Sequence, residues 1–127
     1  MAEDDEQDCL GAMLHGYDGA QARAIGKYLA GLAGHDVPIY GAGDGRRTVR
    51  DIIEGQPGNG FEPGEVAVLM FLGFDDELIG AVLGSFPKEG MMRPIFCTLT
   101  ENNMSWSVSY LLEHLLEEKR AWEQREG

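Results

Sequence analysis

Apolar residues along the chain follow two alternating patterns. Runs of four to seven mainly apolar residues, typical of buried strands, occur at residues 9–15, 37–40, 66–72 and 94–99. After each run, apolar residues recur every three or four positions, as on one face of a helix. The residues predicted to face the core are Ala22, Ile25, Leu29 and Leu32, then Val49, Ile52 and Ile53, then Leu78, Ile79, Val82 and Leu83, and last Val108, Leu111, Leu112 and Leu115, with Trp122 further along at the same spacing. The pattern predicts four strand–helix pairs.

The second half of the chain repeats the order of the first half. Gly-aromatic-Asp follows the first strand at residues 16–18 and the third strand at 73–75, an offset of 73 − 16 = 57. Pro-Ile-aromatic lies in the second and fourth strands at 38–40 and 94–96, an offset of 94 − 38 = 56. Since nearly one offset serves both motifs, we interpret the chain as two duplicated βαβα units.

The segment at residues 55–65 contains two Pro-Gly pairs and Asn-Gly, which favour turns, and it is interpreted as a linker. It joins repeat one, at 9–54, to repeat two, at 66–127. A two-stranded half of this size is below what usually folds alone, so residues 9–127 are expected to form a single α/β domain. Residues 1–8 carry five acidic side chains and are expected to be a disordered acidic N-terminus.

The order of the strands can be predicted from handedness. Strands joined through a helix are parallel, and such crossovers are right-handed in ~98% of cases. Two such units side by side give an α/β fold with a four-stranded parallel sheet in the order 2-1-3-4 and helices on both faces. The short strands that carry Pro38 and Pro94 then lie at the edges, where proline is tolerated.

In such a sheet, ligands bind where the winding reverses, beyond the carboxyl ends of the two central strands. The Gly-aromatic-Asp turns leave these two strands. One interpretation is structural: glycine permits the tight exit, the aromatic residue covers the core, and Asp18 and Asp75 cap the next helices. The functional interpretation places a ligand at this edge. Its candidate ligand-binding residues are His15, Tyr17, Asp18, Arg46, Arg47, Asp75 and Asn103.

The glycine-rich sequence GAGDGRR, at residues 41–47, follows the second strand and precedes a helix. Its amides, with Arg46 and Arg47, are candidates to hold a small anionic ligand. The alternative is a plain turn, because the segment lacks the last glycine of the dinucleotide fingerprint and the Lys-Ser pair of a phosphate-binding loop.

Charge and cysteine content exclude several classes of function. The formal net charge of −12 repels phosphate backbones and anionic lipids, so nucleic acid and membranes are not expected as partners. Cys9 and Cys97 fit thiols kept reduced in the cytoplasm. No metal site or cofactor is predicted, because His15 with nearby aspartates is not a specific ligand pattern. No catalytic residue is predicted, because neither cysteine has an evident base and no nucleophile elbow is present.

The last helix is predicted to run about 19 residues, or ~28 Å, which exceeds the length of a strand of five to seven residues. Trp122 near its end then lies beyond the sheet, and we expect a homodimer through this C-terminal helix. The sequence favours a non-enzymatic ligand-binding or protein-interaction module. The alternative is a minor enzyme that binds an anion or nucleotide at the carboxyl ends of the strands.

The second half also resembles a known family. Gly73, Phe74 and Asp75 follow a buried strand, and Leu99-Thr100 precedes Asn103 and Trp106 in the pattern Leu-Thr-x-x-Asn-x-x-Trp, before a helix rich in leucine and glutamate. This half is similar to the small bacterial family called domain of unknown function 3783. The resemblance implies a fold segment and a bacterial source, and it implies no reaction, because the family has no established activity.

Overall fold

A computed structural model describes residues 10–87 and 90–126, with side chains to residue 123. The predictions for residues 1–8 and Cys9 lie outside the described residues. The elements are β1 (Gly11–His15), α1 (Gly19–Ala33), β2 (Ile39–Gly41), α2 (Val49–Ile53), β3 (Val68–Leu72), α3 (Asp76–Ser85), β4 (Ile95–Thr98), α4 (Glu101–Met104) and α5 (Val108–Glu126). The eight predicted elements are all present, and the short α4 is additional.

The four strands form one sheet in the predicted order, β2-β1-β3-β4. β1 is parallel to β2, and β3 is parallel to β4. β1 and β3, however, are antiparallel, with Met13 opposite Met70 at the centre of the pairing. The prediction of an all-parallel sheet is therefore wrong at the contact between the halves, and the sheet is mixed.

The path of the linker explains the antiparallel contact. After α2, the chain runs beside β2 in the direction of that strand, since Gly58 N–H donates to Ile39 O (2.8 Å) and Gly43 N–H donates to Gly60 O (2.9 Å). It then passes the end of β1, where Gly64 N–H donates to Gly16 O (3.1 Å). The linker thus brings the chain to the carboxyl end of β1, and β3 has to run back from there.

Backbone hydrogen bonds of the two halves match at an offset of 57. Ala42 N–H donates to Leu14 O (2.8 Å), and Leu99 N–H donates to Phe71 O (3.1 Å). The offsets are 99 − 42 = 57 and 71 − 14 = 57, and the strands Gly11–His15 and Val68–Leu72 are likewise offset by 68 − 11 = 57. These elements therefore share the offset of the Gly-aromatic-Asp motif.

Side chains alternate between two cores, one on each face of the sheet. On one face, α1 and α3 pack through Ile25, Leu29 and Val82 onto strand residues such as Leu14 and Leu69. On the other face, α2 and α5 pack onto the sheet through Val49, Ile52, Val108, Leu111 and Leu115. The prediction of helices on both faces is therefore confirmed. Successive strand side chains point to opposite faces, and both faces are buried, so each face needs a layer of helices.

The helices of the second face begin beside each other. Val49 N–H donates to Trp106 O (2.9 Å), and Val108 N–H donates to Arg47 O (2.9 Å). Thr48 caps α2 through a hydrogen bond from Asp51 N–H (3.0 Å). These bonds use amides at both helix starts, which have no partner within their own helix.

Two of the residues predicted to face the core are instead exposed. Leu32 is 37% exposed at the end of α1, and Leu83 is 41% exposed on α3. Leu32 and Leu83 lie at the border of the apolar stripe, where helical spacing alone does not separate buried from exposed positions.

Candidate functional site

The two Gly-aromatic-Asp turns serve the fold in the way that the structural interpretation predicts. Gly16 and Gly73 have positive φ angles of 91° and 80°, which favour glycine. Asp18 accepts a hydrogen bond from Gln21 N–H (2.8 Å), and Asp75 accepts one from Leu78 N–H (2.8 Å). Both aspartates are N-caps, of α1 and α3. The capping role of both residues is confirmed.

Gly16 has a second reason to be glycine. A Cβ atom at this position would lie only 2.2 Å from Val66 O and 2.9 Å from Ala67 Cα. The backbone that leads from the linker into β3 therefore passes directly over the turn, and no larger residue fits without moving the backbone.

His15 and Tyr17 are both held by backbone carbonyl groups. His15 is partly buried, and its Nδ1 lies 2.6 Å from Ala42 O. Because a carbonyl oxygen only accepts, Nδ1 is the donor. Tyr17 is 1% exposed and donates its hydroxyl to Met92 O (2.5 Å). Burial raises the pKa of Tyr17 far above its ordinary value, and the charge of Arg93 opposes this in smaller measure. Tyr17 is thus a core residue with a satisfied hydroxyl.

The amides of the glycine-rich loop are mostly used within the fold. Gly41 N–H donates to Asn59 O (3.1 Å), and Gly43 N–H donates to Gly60 O (2.9 Å). A Cβ atom at Gly41 would lie 2.3 Å from Asn59 O. These two glycines therefore allow the linker to approach the edge of β2, and their amides do not point to an open anion site.

Both arginines of this loop also make local contacts. Arg46 Nε lies 3.2 Å from Asp44 Oδ1, with the arginine side chain 91% exposed. Hydrogen bonds from Arg46 hold the pKa of Asp44 below its ordinary value. Arg47 donates to Asp51 O (3.0 Å) near the end of α2. The two cations are therefore directed to groups of their own segment.

Asn103 is 8% exposed and completes the start of α4. Its Oδ1 accepts from Thr100 N–H (2.9 Å), and its own N–H donates to Thr100 Oγ1 (3.1 Å). Its Nδ2 donates to Thr98 O (3.1 Å). This capping box engages both polar atoms of the Asn103 side chain.

The seven candidate residues do not form one cluster. His15, Tyr17, Asp18, Arg46 and Arg47 follow β1 and β2, whereas Asp75 and Asn103 follow β3 and β4. Because β1 and β3 are antiparallel, the carboxyl end of β1 and the carboxyl end of β3 lie at opposite ends of the strands in the sheet. The expectation that all seven residues line one mouth is therefore corrected, together with the parallel sheet on which it rested.

Cys97 is a partly buried free thiol. Burial, with a smaller contribution from the charge of Glu118, raises the pKa of Cys97 to about 12. The thiol is therefore protonated at neutral pH, and thiolate is the reactive form. Across residues 10–87 and 90–126, no group of three or more His, Cys, Asp or Glu side chains has an arrangement that would hold a metal ion.

A row of aromatic rings lies along α5 and the turn before it. The Trp106 ring centre lies 4.8 Å from that of Tyr110 and 4.9 Å from that of His114. His114 Nε2 lies 3.3 Å from Glu118 Oε2. Tyr110 is 51% exposed. Sequence analysis missed this row, although the four-residue spacing of Trp106, Tyr110 and His114 is its visible signal.

Beyond the row, from residue 117, the described side chains of α5 face solvent. All seven side chains of residues 117–123 are exposed, and Trp122 is 59% exposed. The helix spans the predicted 19 residues, or ~28 Å, against ~17 Å for a five-residue strand. The predicted overhang of the last helix is therefore confirmed, and we call residues 117–123 the α5 overhang.

The fold and these surfaces define a small α/β domain with a mixed four-stranded sheet and an extended C-terminal helix. Residues 67–121 match the model of a family described as domain of unknown function (DUF3783). The resemblance of the second half to this family is thereby confirmed. The matched segment contains β3, α3, β4 and α4, and it ends within α5.

Comparisons with curated proteins and with solved structures give no match. Within the described parts of the chain, none of the helices combines the length and the apolar character that crossing a membrane requires.

Proposed function

We propose that the protein is a non-enzymatic protein-interaction module whose contact surface is the α5 overhang together with Tyr110 and His114. The observation that carries this proposal is the exposure of Trp122 (59%) and Tyr110 (51%) on one long helix. Exposed aromatic residues are enriched at protein interfaces, where their large rings contribute much of the binding energy.

The partner that fits the overhang best is a second copy of the chain. The overhang contains the sequence Glu117-Glu118-Lys119-Arg120. If two α5 helices pair antiparallel about the midpoint of this sequence, Glu118 lies opposite Lys119 of the second copy, on the side of the helix that also carries Trp122. Symmetric dimers use such self-complementary surfaces.

The described structure leaves most of these charges available. Among the described side chains, Glu117, Lys119 and Arg120 form no ion pair, and Glu118 pairs with the partly exposed His114. The Glu118–Lys119 pair and its symmetry mate across a two-fold axis would fix the orientation and register of the two helices, while Trp122 supplies apolar contact area.

Sedimentation equilibrium tests the proposal. We expect the native protein to show a concentration-dependent dimer at about 50 μM, because association follows mass action. Trp122→Ala should weaken the dimer about tenfold, as for an interface residue whose removal costs more than 1 kcal/mol. Leu83→Ala, which removes an exposed leucine from α3, is the matched control and should leave the association unchanged. A native protein that stays monomeric contradicts the proposal.

Two further proposals concern origin and location. The matched backbone hydrogen bonds at an offset of 57 support a duplication of one βαβα unit, since an unrelated pair of halves has no reason to share a register. The net charge of −12 and the free thiol of Cys97 support a cytoplasmic protein that binds neither nucleic acid nor a membrane surface. The bacterial source is what the resemblance of residues 67–121 to their family implies.

The alternative of an anion-binding minor enzyme gains no support from the glycine-rich loop. Arg46 pairs with Asp44, Arg47 bonds to a backbone carbonyl, and the amides of Gly41 and Gly43 hold the linker. A small anion at this loop would have to displace these contacts, so the interaction module remains the function that the geometry supports best.

A further inference from the structure

A groove of about 440 Å³ lies between α1 and the linker. One wall is the first two turns of α1, and the other is formed by the start of β2 and the linker. This volume is typical of small-molecule sites, which range over roughly 300–1,000 Å³. The lining residues are Gly19, Ala22, Arg23, Gly26, Pro38, Ile39, Pro57, Gly58 and Phe61.

Both walls of the groove are fixed by the fold. The linker wall is held to β2 through Gly58 N–H, which donates to Ile39 O (2.8 Å), and Phe61 packs against the core. On the helix side, a Cβ atom at Gly26 would lie 3.1 Å from Ile39 Cγ1. The helix and the strand are thus in close contact at the floor, and the groove is formed before any ligand arrives.

The chemistry of the lining is apolar except for one cation. Arg23 is the only charged residue among those that line the groove, and no carboxylate lines it. Arg23 is exposed and forms no ion pair within the described part of the chain. An unpaired arginine in an apolar groove, within a protein of net charge −12, complements a single negative charge.

A neighbouring depression does not share this preference. It shares Gly26 and Pro38 with the groove and is lined by Lys27 and Asp36, among others. Since these two side chains carry opposite charges, this depression favours neither anions nor cations. Lys27 lies one helical turn from Arg23 and does not line the groove.

We propose that the groove binds a small organic monocarboxylate with an apolar body. The guanidinium group of Arg23 presents a planar fork that matches a carboxylate through two parallel hydrogen bonds. The apolar body lies against Pro38, Pro57 and Phe61. A multiply charged phosphate is disfavoured, because the negative field of the protein repels it in proportion to its charge and only one arginine compensates. This site is separate from the α5 overhang.

Titration with 4-phenylbutyrate, followed by amide and arginine side-chain shifts in two-dimensional NMR, tests the proposal on the full chain. We expect shifts at Arg23, Gly26, Gly58 and Phe61. Arg23→Gln should weaken binding about tenfold, and Arg23→Lys should weaken it less, because lysine keeps the charge but loses the fork. Lys27→Gln is the matched control, and its dissociation constant should stay within about twofold of the native value.

The neutral amide 4-phenylbutyramide separates the two parts of the recognition. It should bind the native protein and Arg23→Gln with equal affinity, because it lacks the charge that Arg23 recognises. The proposal is overturned if 4-phenylbutyrate produces no shifts, if its shifts lie outside the groove, or if it binds the native protein and Arg23→Gln equally.

Discussion

At the residue scale, the polar side chains of the strand ends act mainly within the fold. The capping roles of Asp18 and Asp75 could be predicted from sequence, because an N-cap is a local feature with a known residue preference. The hydrogen bond of Tyr17 to Met92 O and the roles of Gly41 and Gly43 could not, since they depend on segments distant in the chain. Asn103 has the spacing of a capping box with Thr100, but the sequence analysis names it only as a ligand-binding candidate and as part of the family pattern.

Replacement of an N-cap should cost stability. Asp75→Ala removes the acceptor for Leu78 N–H, and we expect the free energy of unfolding to fall by about 1 kcal/mol. Asp76→Ala is the control, because it removes a neighbouring carboxylate that interacts only with the helix dipole. At an exposed site this interaction stabilises the fold by roughly 0.3–1 kcal/mol at most. Urea unfolding measures both. Equal losses for the two variants would show that Asp75 contributes charge alone.

The buried thiol of Cys97 makes stability depend on alkaline pH. Its pKa is near 9 when solvated and about 12 in the fold, so the unfolded chain loses the proton first. The stabilisation is complete below the solvated pKa and is lost as pH rises toward the folded pKa. Between about pH 8 and pH 10.5, the urea midpoint of the native protein should fall more than that of Cys97→Ala. Parallel declines would contradict the burial of this thiol.

At the scale of elements, strands and helices were predicted well because each carries its own apolar period. The linker was predicted only as a connection without helix or strand, yet it covers the open edge of β2 through backbone hydrogen bonds. Bonds of this kind leave no side-chain pattern in the sequence. Gly41 and Gly43 permit the close approach of the linker because they have no side chain. A glycine-rich loop that binds a ligand exposes its backbone in the same way, so the sequence does not distinguish the two roles.

A side chain added where the linker contacts β2 should destabilise the protein. A Cβ atom at Gly41 would lie 2.3–2.6 Å from backbone atoms of Asn59 and Gly60, so Gly41→Ala should cost roughly 1–3 kcal/mol. Gly31→Ala on α1 is the control, because nothing lies within 4 Å of its added methyl group and alanine favours a helix by roughly 0.5–1 kcal/mol. Thermal unfolding should separate the two in opposite directions. An unchanged midpoint for Gly41→Ala would show that the linker does not pack on β2.

At the scale of the whole molecule, the order of the strands could be predicted and the direction of the second half could not. Handedness fixes each βαβ unit, but it does not constrain a connection that lacks a helix. The linker reverses the direction of the strands of the second half. The candidate site residues that were expected at one end of the sheet are therefore divided between its two ends. Two large aromatic side chains of the long helix α5, those of Tyr110 and Trp122, remain exposed. This arrangement makes α5 the surface through which we propose that the protein acts.

Charge complementation tests this proposal most directly. One variant combines Glu117→Lys with Glu118→Lys, and the other combines Lys119→Glu with Arg120→Glu. In antiparallel pairing, each variant alone places like charges opposite each other, which is destabilising. We predict that sedimentation shows each variant to be monomeric at about 50 μM and an equimolar mixture to form a heterodimer, because opposite charges then face each other. Dimers of either variant alone, or a mixture that stays monomeric, would contradict the proposed α5 interface.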